Sequence, residues 1–313
     1  SDVCSSDLYK GVLMTDSEME RLLKTVETKT LTEEVEKTTQ GCFAPLPSGR
    51  TRYEVKGEGE AVVLVHGYAT PYYIYDKLFA ALVESGFKVL RYDLLGRGFS
   101  ERVKTDYTPD LFSRQLLEIV DYVFGHDEKF YLVGTSMGGT ITATFTSEYP
   151  DRVKKLILLA PAGMDTFMPP FYMKLCDIPG LGNFIFKNVA GKMLLKRCAT
   201  ELLYSTDDID YYVRSFADAA QYKGFLDCTL SSLRKTILNT KYATEKYKII
   251  GKTNIPVLAI WGTNDKTMPY YQSERLKEVL PNVRFLTYEN SGHIFVFDEG
   301  QRTADDVLKF IKE

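Results

Sequence analysis

The chain has 313 residues with a formal net charge of −3; 44% of the residues are hydrophobic and 26% are charged. This length suits one large α/β domain or a core with an inserted subdomain, and the composition is that of an ordinary soluble globular protein. The charge balance excludes a basic nucleic-acid-binding surface, no apolar run is long enough to cross a bilayer, and five cysteines without C-x-x-C spacing favour free thiols in a reducing compartment.

The first 40 residues differ in character from the rest of the chain. Residues 1–8 (SDVCSSDL) read like one translated frame of a sequencing-library adaptor, so we expect an assembly artefact in place of the natural N-terminus. The cysteines favour a cytoplasmic protein, but a secreted or membrane-associated one stays open because a signal peptide would lie in the missing part. Residues 9–40 are expected to form a helical arm, with helical apolar spacing over 16–37. Three roles stay open for this arm: contact with a membrane surface, packing on an inserted cap, or exposure to solvent.

From residue 41 onward, short apolar runs alternate with longer helical stretches. The predicted strands are 42–47, 51–55, 61–65, 88–92, 130–133, 153–159, 257–261 and 283–288, and the predicted helices between them are 75–84, 110–124, 137–148, 271–279 and 304–312. This alternation indicates an α/β fold with a mostly parallel eight-stranded sheet and helices on both faces. Residues 41–162 and 252–313 form this predicted core. Residues 163–251 lack strand-like runs and are expected to be an inserted helical cap, with helices at 194–204, 208–220 and 226–239.

The stretch FYLVGTSMGG at 130–139 ends a predicted strand and opens a predicted helix. Within it, Gly134-Thr135-Ser136-Met137-Gly138 has the G-x-S-x-G spacing of a nucleophile elbow. A strand that turns sharply into a helix leaves the serine in a strained conformation. Side chains two positions away on either side would collide, so glycine is needed there. The spacing therefore predicts Ser136 as an exposed nucleophile for acyl transfer.

A serine nucleophile needs a base, and the chain contains three histidines. His293 lies in a loop of small residues after the last predicted strand, from which it can reach the carboxyl edge of the sheet, and it is the predicted base. His66 is predicted to shape a loop, and His126 to lie on the surface. Asp265, after the seventh strand, is the predicted acid, in the chain order serine, acid, histidine. Asp298 is the competing carboxylate, but we expect it to face solvent or cap a helix.

Acyl transfer also needs N–H donors for the negatively charged oxygen of the tetrahedral intermediate. We expect the backbone N–H of Met137, which follows the nucleophile, and that of Tyr68, in the loop after the third strand. The Gly-Arg-Gly sequence at 96–98 lacks the further glycine of a dinucleotide motif and the lysine of a P-loop, so it indicates a tight turn. No histidine, cysteine or glutamate cluster has metal-ligand spacing, and we predict no metal.

Six segments of the chain resemble those of the α/β-hydrolases. They are HGY at 66–68, RYDLLGRGFS at 91–100, GTSMGG at 134–139, LLAPAG at 158–163, WGTNDKTMP at 261–269 and SGH at 291–293. GTSMGG, with PAG leading into a helical cap, is similar to the monoacylglycerol lipase and carboxylesterase-like branch. The resemblance implies ester hydrolysis through an acyl-enzyme, without a cofactor. Carbon–carbon hydrolases of ring-cleavage products share the triad and the cap and are the enzymatic alternative. A ligand-binding protein of the same fold is the non-enzymatic one.

The predicted cap is the guide to the substrate. Its first part is rich in methionine and aromatic residues, which suit an adaptable apolar tunnel or serve packing on the core. The predicted substrate-contacting residues are Met164, Phe167, Met168 and Phe171 in the cap, with Tyr72 and Tyr73 at the entrance. The cap has no cluster of arginine or lysine that would signal an anionic substrate. We therefore expect a small-molecule partner, an uncharged ester with a short-to-medium acyl chain such as a monoacylglycerol.

Overall fold

The computed structural model of the chain describes residues 20–22, 24–190 and 208–313, apart from the side chains of Tyr172 and Ala190. Its strands are β1 (Cys42–Leu46), β2 (Gly49–Lys56), β3 (Ala61–Val65), β4 (Lys88–Tyr92), β5 (Phe130–Thr135), β6 (Val153–Leu159), β7 (Val257–Gly262) and β8 (Arg284–Tyr288). All eight predicted strands are present, with small shifts at their ends. The expected artefact at 1–8 and the expected helix at 194–204 lie outside the described residues.

The strands form one sheet in the order β1-β2-β4-β3-β5-β6-β7-β8. β1 and β2 form a hairpin, β2 runs antiparallel to β4, and the other neighbouring pairs are parallel. β3, β5 and β7 are buried along their full length, as continuous apolar runs predict for strands covered on both faces. The mostly parallel eight-stranded sheet predicted from the sequence is confirmed.

Helices cover both faces of this sheet. They are α1 (Glu33–Thr38), α2 (Asp76–Glu84), α3 (Pro109–Phe124), α4 (Met137–Glu148), α5 (Phe171–Cys176), α6 (Leu181–Ile185), α7 (Ile209–Ala220), α8 (Phe225–Ser232), α9 (Thr240–Ile250), α10 (Gln272–Val279), α11 (Phe295–Asp298) and α12 (Gly300–Lys312). The 3₁₀ turns are Tyr72–Tyr75 and Pro150–Arg152, and the π-helical turns are Phe186–Ala190 and Leu233–Ile237. α2 packs against α12, whereas α4 packs against α3 and α9.

The described part of the N-terminal arm is not the continuous helix expected over 16–37. Lys29 forms an isolated parallel bridge with Tyr222, which lies between β6 and β7. Helical structure resumes only at α1, where the hydroxyl of Thr32 accepts the N–H of Val35 as an N-cap. The residues before α1 are rich in threonine, whose β-branched side chain favours extended backbone. This part of the arm therefore runs against the segment between β6 and β7.

We call residues 163–251, between β6 and β7, the cap. Its described residues are helical or irregular and form no regular strand. Two tyrosine hydroxyls tie α7 of the cap to the start of α2: Tyr211 donates to the carboxylate of Asp76, and Tyr73 donates to the carbonyl of Tyr212 at 3.0 Å. Within the described ranges, no helix combines the length and apolar character required to cross a membrane.

Candidate active site

Four loops meet at the carboxyl edge of the sheet. His66 follows β3, Ser136 follows β5, Asp265 follows β7 and His293 follows β8. β3 pairs with β5 and β7 pairs with β8, and β6 lies between the two pairs. Because the parallel strands end at the same edge, residues far apart in the sequence come together there.

The backbone of Ser136 is strained where β5 turns into α4. Its φ of +55° and ψ of −121° lie in a region that residues with a side chain rarely occupy. Backbone hydrogen bonds hold this conformation: the Ser136 N–H donates to Leu159 O (3.0 Å), and its carbonyl accepts the N–H groups of Gly139 (2.8 Å) and Ala162 (2.9 Å). The chain thus turns sharply at a serine placed at the N-terminus of a helix.

The two elbow glycines are required because no space exists for a side chain. A β-carbon on Gly134 would lie 2.5 Å from the carbonyl oxygen of Gly138, and one on Gly138 would lie 2.1 Å from that of Val65. Gly134 therefore lets α4 pack behind β5, and Gly138 lets α4 approach the end of β3.

His293 and Asp265 form a buried pair. A hydrogen bond of 2.7 Å joins His293 Nδ1 to Asp265 Oδ2, and both side chains are almost inaccessible to solvent. The other carboxylate oxygen, Oδ1, accepts the N–H groups of Thr267 (2.8 Å) and Met268 (2.7 Å). Because a carboxylate can only accept, Nδ1 carries the proton and Nε2 is the basic nitrogen of the neutral ring. His293 and Ser136 line the same cleft.

Asp298, the competing candidate for the acid, and the third histidine, His126, lie elsewhere. Asp298 ends α11 and is half-buried, and the N-cap position of α12 belongs to Glu299, so the expectation that Asp298 faces solvent or caps a helix is corrected. The carboxylate bonded to His293 belongs to Asp265 instead. The ring of His126 is 85% exposed and contacts Asp121 on the surface, as expected for a residue without a role in the cleft.

The loop after β3 is shaped by a buried neutral histidine. His66 Nδ1 contacts the carbonyl of Gly67 at 3.0 Å, and Nε2 accepts the N–H of Leu94 at 2.9 Å, which requires the proton to lie on Nδ1. Burial lowers the pKa of His66 from 6.5 to about 4. The ring therefore connects two loops as a neutral group instead of serving as a second base.

Two backbone N–H groups belong to residues beside Ser136. Met137 is the first residue of α4, so its N–H has no acceptor within the helix. Gly67 and Tyr68 line the same cleft as Ser136, and a β-carbon on Gly67 would lie 3.2 Å from the Ser136 β-carbon. The loop after β3 thus lies directly against Ser136.

The cleft over Ser136 encloses about 960 Å³, part of which is open to solvent, and its surface is mostly apolar. Its apolar cap residues are Phe167, Met168, Pro170, Met173, Leu233 and Ile237, and its apolar core residues include Ala69, Ile74, Met268 and Ile294. Leu233 and Ile237 line the cleft but were not predicted to do so, because the regular helix predicted over 226–239 does not show which of its faces meets the cleft. The apolar side chains spaced three or four residues apart over this stretch are the signal that could have indicated them.

The two tyrosines expected at the entrance are buried away from the cleft lining. The Tyr72 ring lies between two guanidinium groups, 4.4 Å from that of Arg52 and 4.5 Å from that of Arg91. Tyr73 packs edge-on against Phe297 and binds the cap backbone through its hydroxyl. The entrance assignment is therefore corrected, because both rings connect parts of the fold.

Two of the four cap residues predicted to contact substrate line the cleft, and the other two do not. Phe167 and Met168 line the cleft, whereas Met164 is completely buried in the core and Phe171 is 73% exposed and lies outside the lining. Met164 and Phe171 are therefore corrected. Which face of a short cap segment meets the cleft depends on its packing, which composition alone does not encode.

The comparison with protein families identifies the class of the chain. A family model described as serine aminopeptidase, S33, matches residues 58–300. The chain belongs to this hydrolase family. The matched range includes Ser136, Asp265 and His293.

Similar proteins include hydrolases of several kinds. Lipase 3 of Moraxella sp. (strain TA144) is 27% identical over 254 residues, which cover 80% of this chain and 77% of the lipase. A 2-hydroxy-6-oxononadienedioate/2-hydroxy-6-oxononatrienedioate hydrolase of Klebsiella pneumoniae is 29% identical over 266 residues, 82% of this chain and 88% of that protein. The structure of an esterase from Exiguobacterium antarcticum aligns with a TM-score of 0.73 at 19% identity, over 88% of this chain and 100% of the esterase. The α/β-hydrolase fold is confirmed.

The contact between α4 and β3 generates a stability prediction. Gly138→Ala should lower the free energy of unfolding by more than about 3 kcal/mol, although alanine is the better helix former, because its β-carbon would overlap the Val65 carbonyl. Gly125→Ala is the control: Gly125 has a φ of +93° but no atom near a β-carbon, so backbone strain without a clash should cost about 1–3 kcal/mol. Urea unfolding monitored by the fluorescence of the single tryptophan, Trp261, measures both. Equal losses in the two variants would contradict the steric argument.

The buried His66 predicts a pH-dependent stability. Between pH 6.5 and about 4 the unfolded chain binds a proton at His66 that the folded chain does not, so stability falls as the pH is lowered through this window. The shift corresponds to a loss of about 3 kcal/mol at its lower end. In His66→Gln this contribution should disappear, whereas His126→Gln, at the exposed histidine, should keep the wild-type slope. The measurement is urea unfolding at several pH values, and identical slopes for wild type and His66→Gln would refute the assignment.

Proposed function

We propose that this hydrolase cleaves carboxylic esters, with Ser136 as nucleophile, His293 as general base and Asp265 as the residue that orients the imidazole. The observation that carries the proposal is the 2.7 Å hydrogen bond between His293 and Asp265, at the edge of a cleft that also contains the strained Ser136. A serine hydroxyl is a weak nucleophile, and a neutral imidazole held in one tautomer is the group that activates it.

In the first half of the proposed reaction, Ser136 Oγ attacks the ester carbonyl carbon and its proton moves to His293 Nε2. Asp265 stabilises the resulting imidazolium. The carbonyl oxygen becomes an oxyanion that accepts hydrogen bonds from the N–H groups of Met137 and Tyr68. When the intermediate collapses, the bond to the alcohol oxygen breaks and the proton on Nε2 passes to the leaving alcohol, which leaves an acyl group on Ser136.

In the second half, a water molecule attacks the acyl-enzyme. His293 takes one proton of the water, and the same two N–H groups hold the second oxyanion. Collapse releases the carboxylic acid and returns the proton to Ser136 Oγ. This sequence consumes one ester and one water and requires no cofactor.

The lining of the cleft supports an uncharged ester with an apolar acyl chain of short to medium length. The side chains contributed by the cap are apolar, and burial of each methylene of a substrate against them contributes about 0.8 kcal/mol. The similarity to a lipase agrees with this substrate class. Monoacylglycerols are therefore our preferred substrates.

The similarity to a hydrolase of a dicarboxylate supports a second candidate, cleavage of a carbon–carbon bond in a ring-cleavage product. Such a substrate carries carboxylates that need cationic partners. Lys266 is the one lysine or arginine in the described lining, which favours the ester. The two candidates are separated by comparing kcat/KM for p-nitrophenyl butyrate with that for a vinylogous 2-hydroxy-6-oxo acid, and much faster turnover of the acid would overturn the ester proposal.

The triad assignment predicts two large losses of activity. Ser136→Ala should lower kcat by about 10⁴- to 10⁶-fold and abolish labelling by a fluorophosphonate, and Asp265→Asn should lower kcat by about 10⁴-fold because the amide favours the wrong imidazole tautomer. Asp298→Asn is the matched control and should change kcat by less than about tenfold. Thermal unfolding of each variant verifies that it is folded. The reverse ranking of the two aspartate variants would reassign the acid.

The apolar lining predicts a dependence on acyl chain length. With p-nitrophenyl esters, kcat/KM should rise about fourfold per methylene until the cleft is filled and then fall. Leu233→Ala should move the maximum to longer chains, because it enlarges the lining. Phe171→Ala, at an exposed residue outside the lining, should leave the maximum unchanged. A flat profile, or the same shift in both variants, would mean that these cap residues do not contact the acyl chain.

A further inference from the structure

Arg97 is a buried cation beside the active-site loops. It lies in the turn between Gly96 and Gly98, and its side chain is inaccessible to solvent. Its Nε donates to the carbonyl of Tyr68 at 2.6 Å, and its Nη2 donates to the hydroxyl of Ser232 at 2.8 Å. Within the described part of the chain, the groups that face its charge are carbonyl, hydroxyl, thiol and phenol groups instead of carboxylates.

Arg91 is a second buried arginine, and its partners differ from those of Arg97. Arg91 forms ion pairs with both Glu54 and Asp76, so its charge is neutralised locally. Arg97 is held by neutral groups, and burial lowers its pKa. A buried charge without a counter-charge costs stability, and an apolar side chain of similar volume is often at least as stable. Arg102 also donates to backbone carbonyls, so neutral partners alone do not single out Arg97. What distinguishes Arg97 is that one of its acceptors is the Tyr68 carbonyl, in the loop that lies against Ser136.

Those contacts converge on Tyr68, the proposed oxyanion donor. The Tyr68 carbonyl accepts from Arg97, its ring lies below the guanidinium at 5.6 Å, and its hydroxyl donates to the carbonyl of Thr229 at 2.8 Å. Thr229 and Ser232 both lie on α8 of the cap. Arg97 thus connects the loop after β3 with the cap helix that leads into the cleft-lining turn at Leu233.

We propose that Arg97 is a positioning residue, which holds the Tyr68 carbonyl and so fixes the backbone of this residue in a conformation that points the Tyr68 N–H, in the preceding peptide group, to the oxyanion formed at Ser136. This inference rests on the proposed ester hydrolysis. Arg97 is outside the cleft lining and acts through Tyr68. A preorganised donor of this kind acts on the transition state and little on the bound substrate, so its loss should lower kcat more than it changes KM.

Inhibitors that mimic the two states separate this role from general packing. A trifluoromethyl ketone adds to the serine oxygen and forms an oxyanion, whereas the matching methyl ketone binds mainly without addition. Arg97→Met should lower kcat about 10- to 100-fold, leave KM within about threefold, and weaken the trifluoromethyl ketone by a factor similar to that in kcat. Affinity for the methyl ketone should be unchanged. Arg97→Lys, which keeps the charge and one donor, should recover part of both losses.

Arg234→Met is the matched control. Arg234 is an arginine of the cap itself, which donates to the carbonyls of Cys176 and Ile178 and to the side chain of Asn183. It should keep the wild-type ratio of the two ketone affinities. If Arg97→Met changes the ratio of the two ketone affinities no more than Arg234→Met does, so that both ketones are weakened by the same factor, Arg97 serves packing and the proposal is overturned.

Three further outcomes are decisive. If Arg97→Met does not fold, the ketone ratio of Arg97→Lys decides, with an unchanged ratio refuting the role. If the wild-type protein neither hydrolyses esters nor binds the trifluoromethyl ketone more tightly than the methyl ketone, the proposed function itself fails. Wild-type turnover with an unaltered ratio in the Arg97 variants overturns the positioning role alone.

Discussion

The site depends on the close approach of α4 to the ends of β3 and β5. At Gly138 the helix lies so near the Val65 carbonyl that no side chain fits, and this proximity forces the chain to turn within one residue, at Ser136. A backbone in this region costs on the order of 1–3 kcal/mol and persists because buried strands on both sides over-determine it. Ser136 itself is buried, with 6% of its surface exposed, but it lines the cleft, and this placement, the N–H at the start of α4 and the contact with the loop after β3 all follow from this one packing constraint.

Around this elbow, buried polar groups set the positions of the loops. His66 links the loop after β3 with Leu94 as a neutral ring. One carboxylate oxygen of Asp265 accepts two backbone N–H groups, and the other is hydrogen-bonded to His293. In a low-dielectric interior each of these hydrogen bonds is costly to break, so the loops have little freedom to adjust. Rigid dipoles of this kind suit a reaction in which charge develops at one oxygen, because the protein does not need to reorganise when the charge appears.

The cap adds the selective part of the cleft to this fixed core. Its cleft-lining residues come from two separate stretches, around Met168 and around Leu233, while α7 ties the cap to the core through Tyr211 and Asp76. The core supplies Ser136, His293 and Asp265, and under the proposed ester hydrolysis the cap would determine which acyl group fits above them. Arg97 lies where these two parts meet, since it contacts Tyr68 of the core and Ser232 of the cap.

The sequence by itself determined the sheet and the elbow. Continuous apolar runs identify buried strands, and the glycines around Ser136 follow from a local steric requirement, so both are encoded over a few neighbouring residues. The order of Ser136, Asp265 and His293 along the chain also predicted which loops would contribute to one site. The hydrogen bond that joins Asp265 to His293 exists because parallel strands end at one edge.

Only the tertiary structure decided which side chains form the cleft. Tyr72 is next to the loop after β3 in sequence, yet its ring packs against the guanidinium groups of Arg52 and Arg91. Phe171 and Met168 are similar in character and close in the chain, but one lies outside the cleft lining and the other within it. Leu233 reaches the cleft from a π-helical turn that periodicity treats as ordinary helix. The orientation of a cap helix, and with it the lining of the cleft, is set by long-range packing that no local pattern encodes.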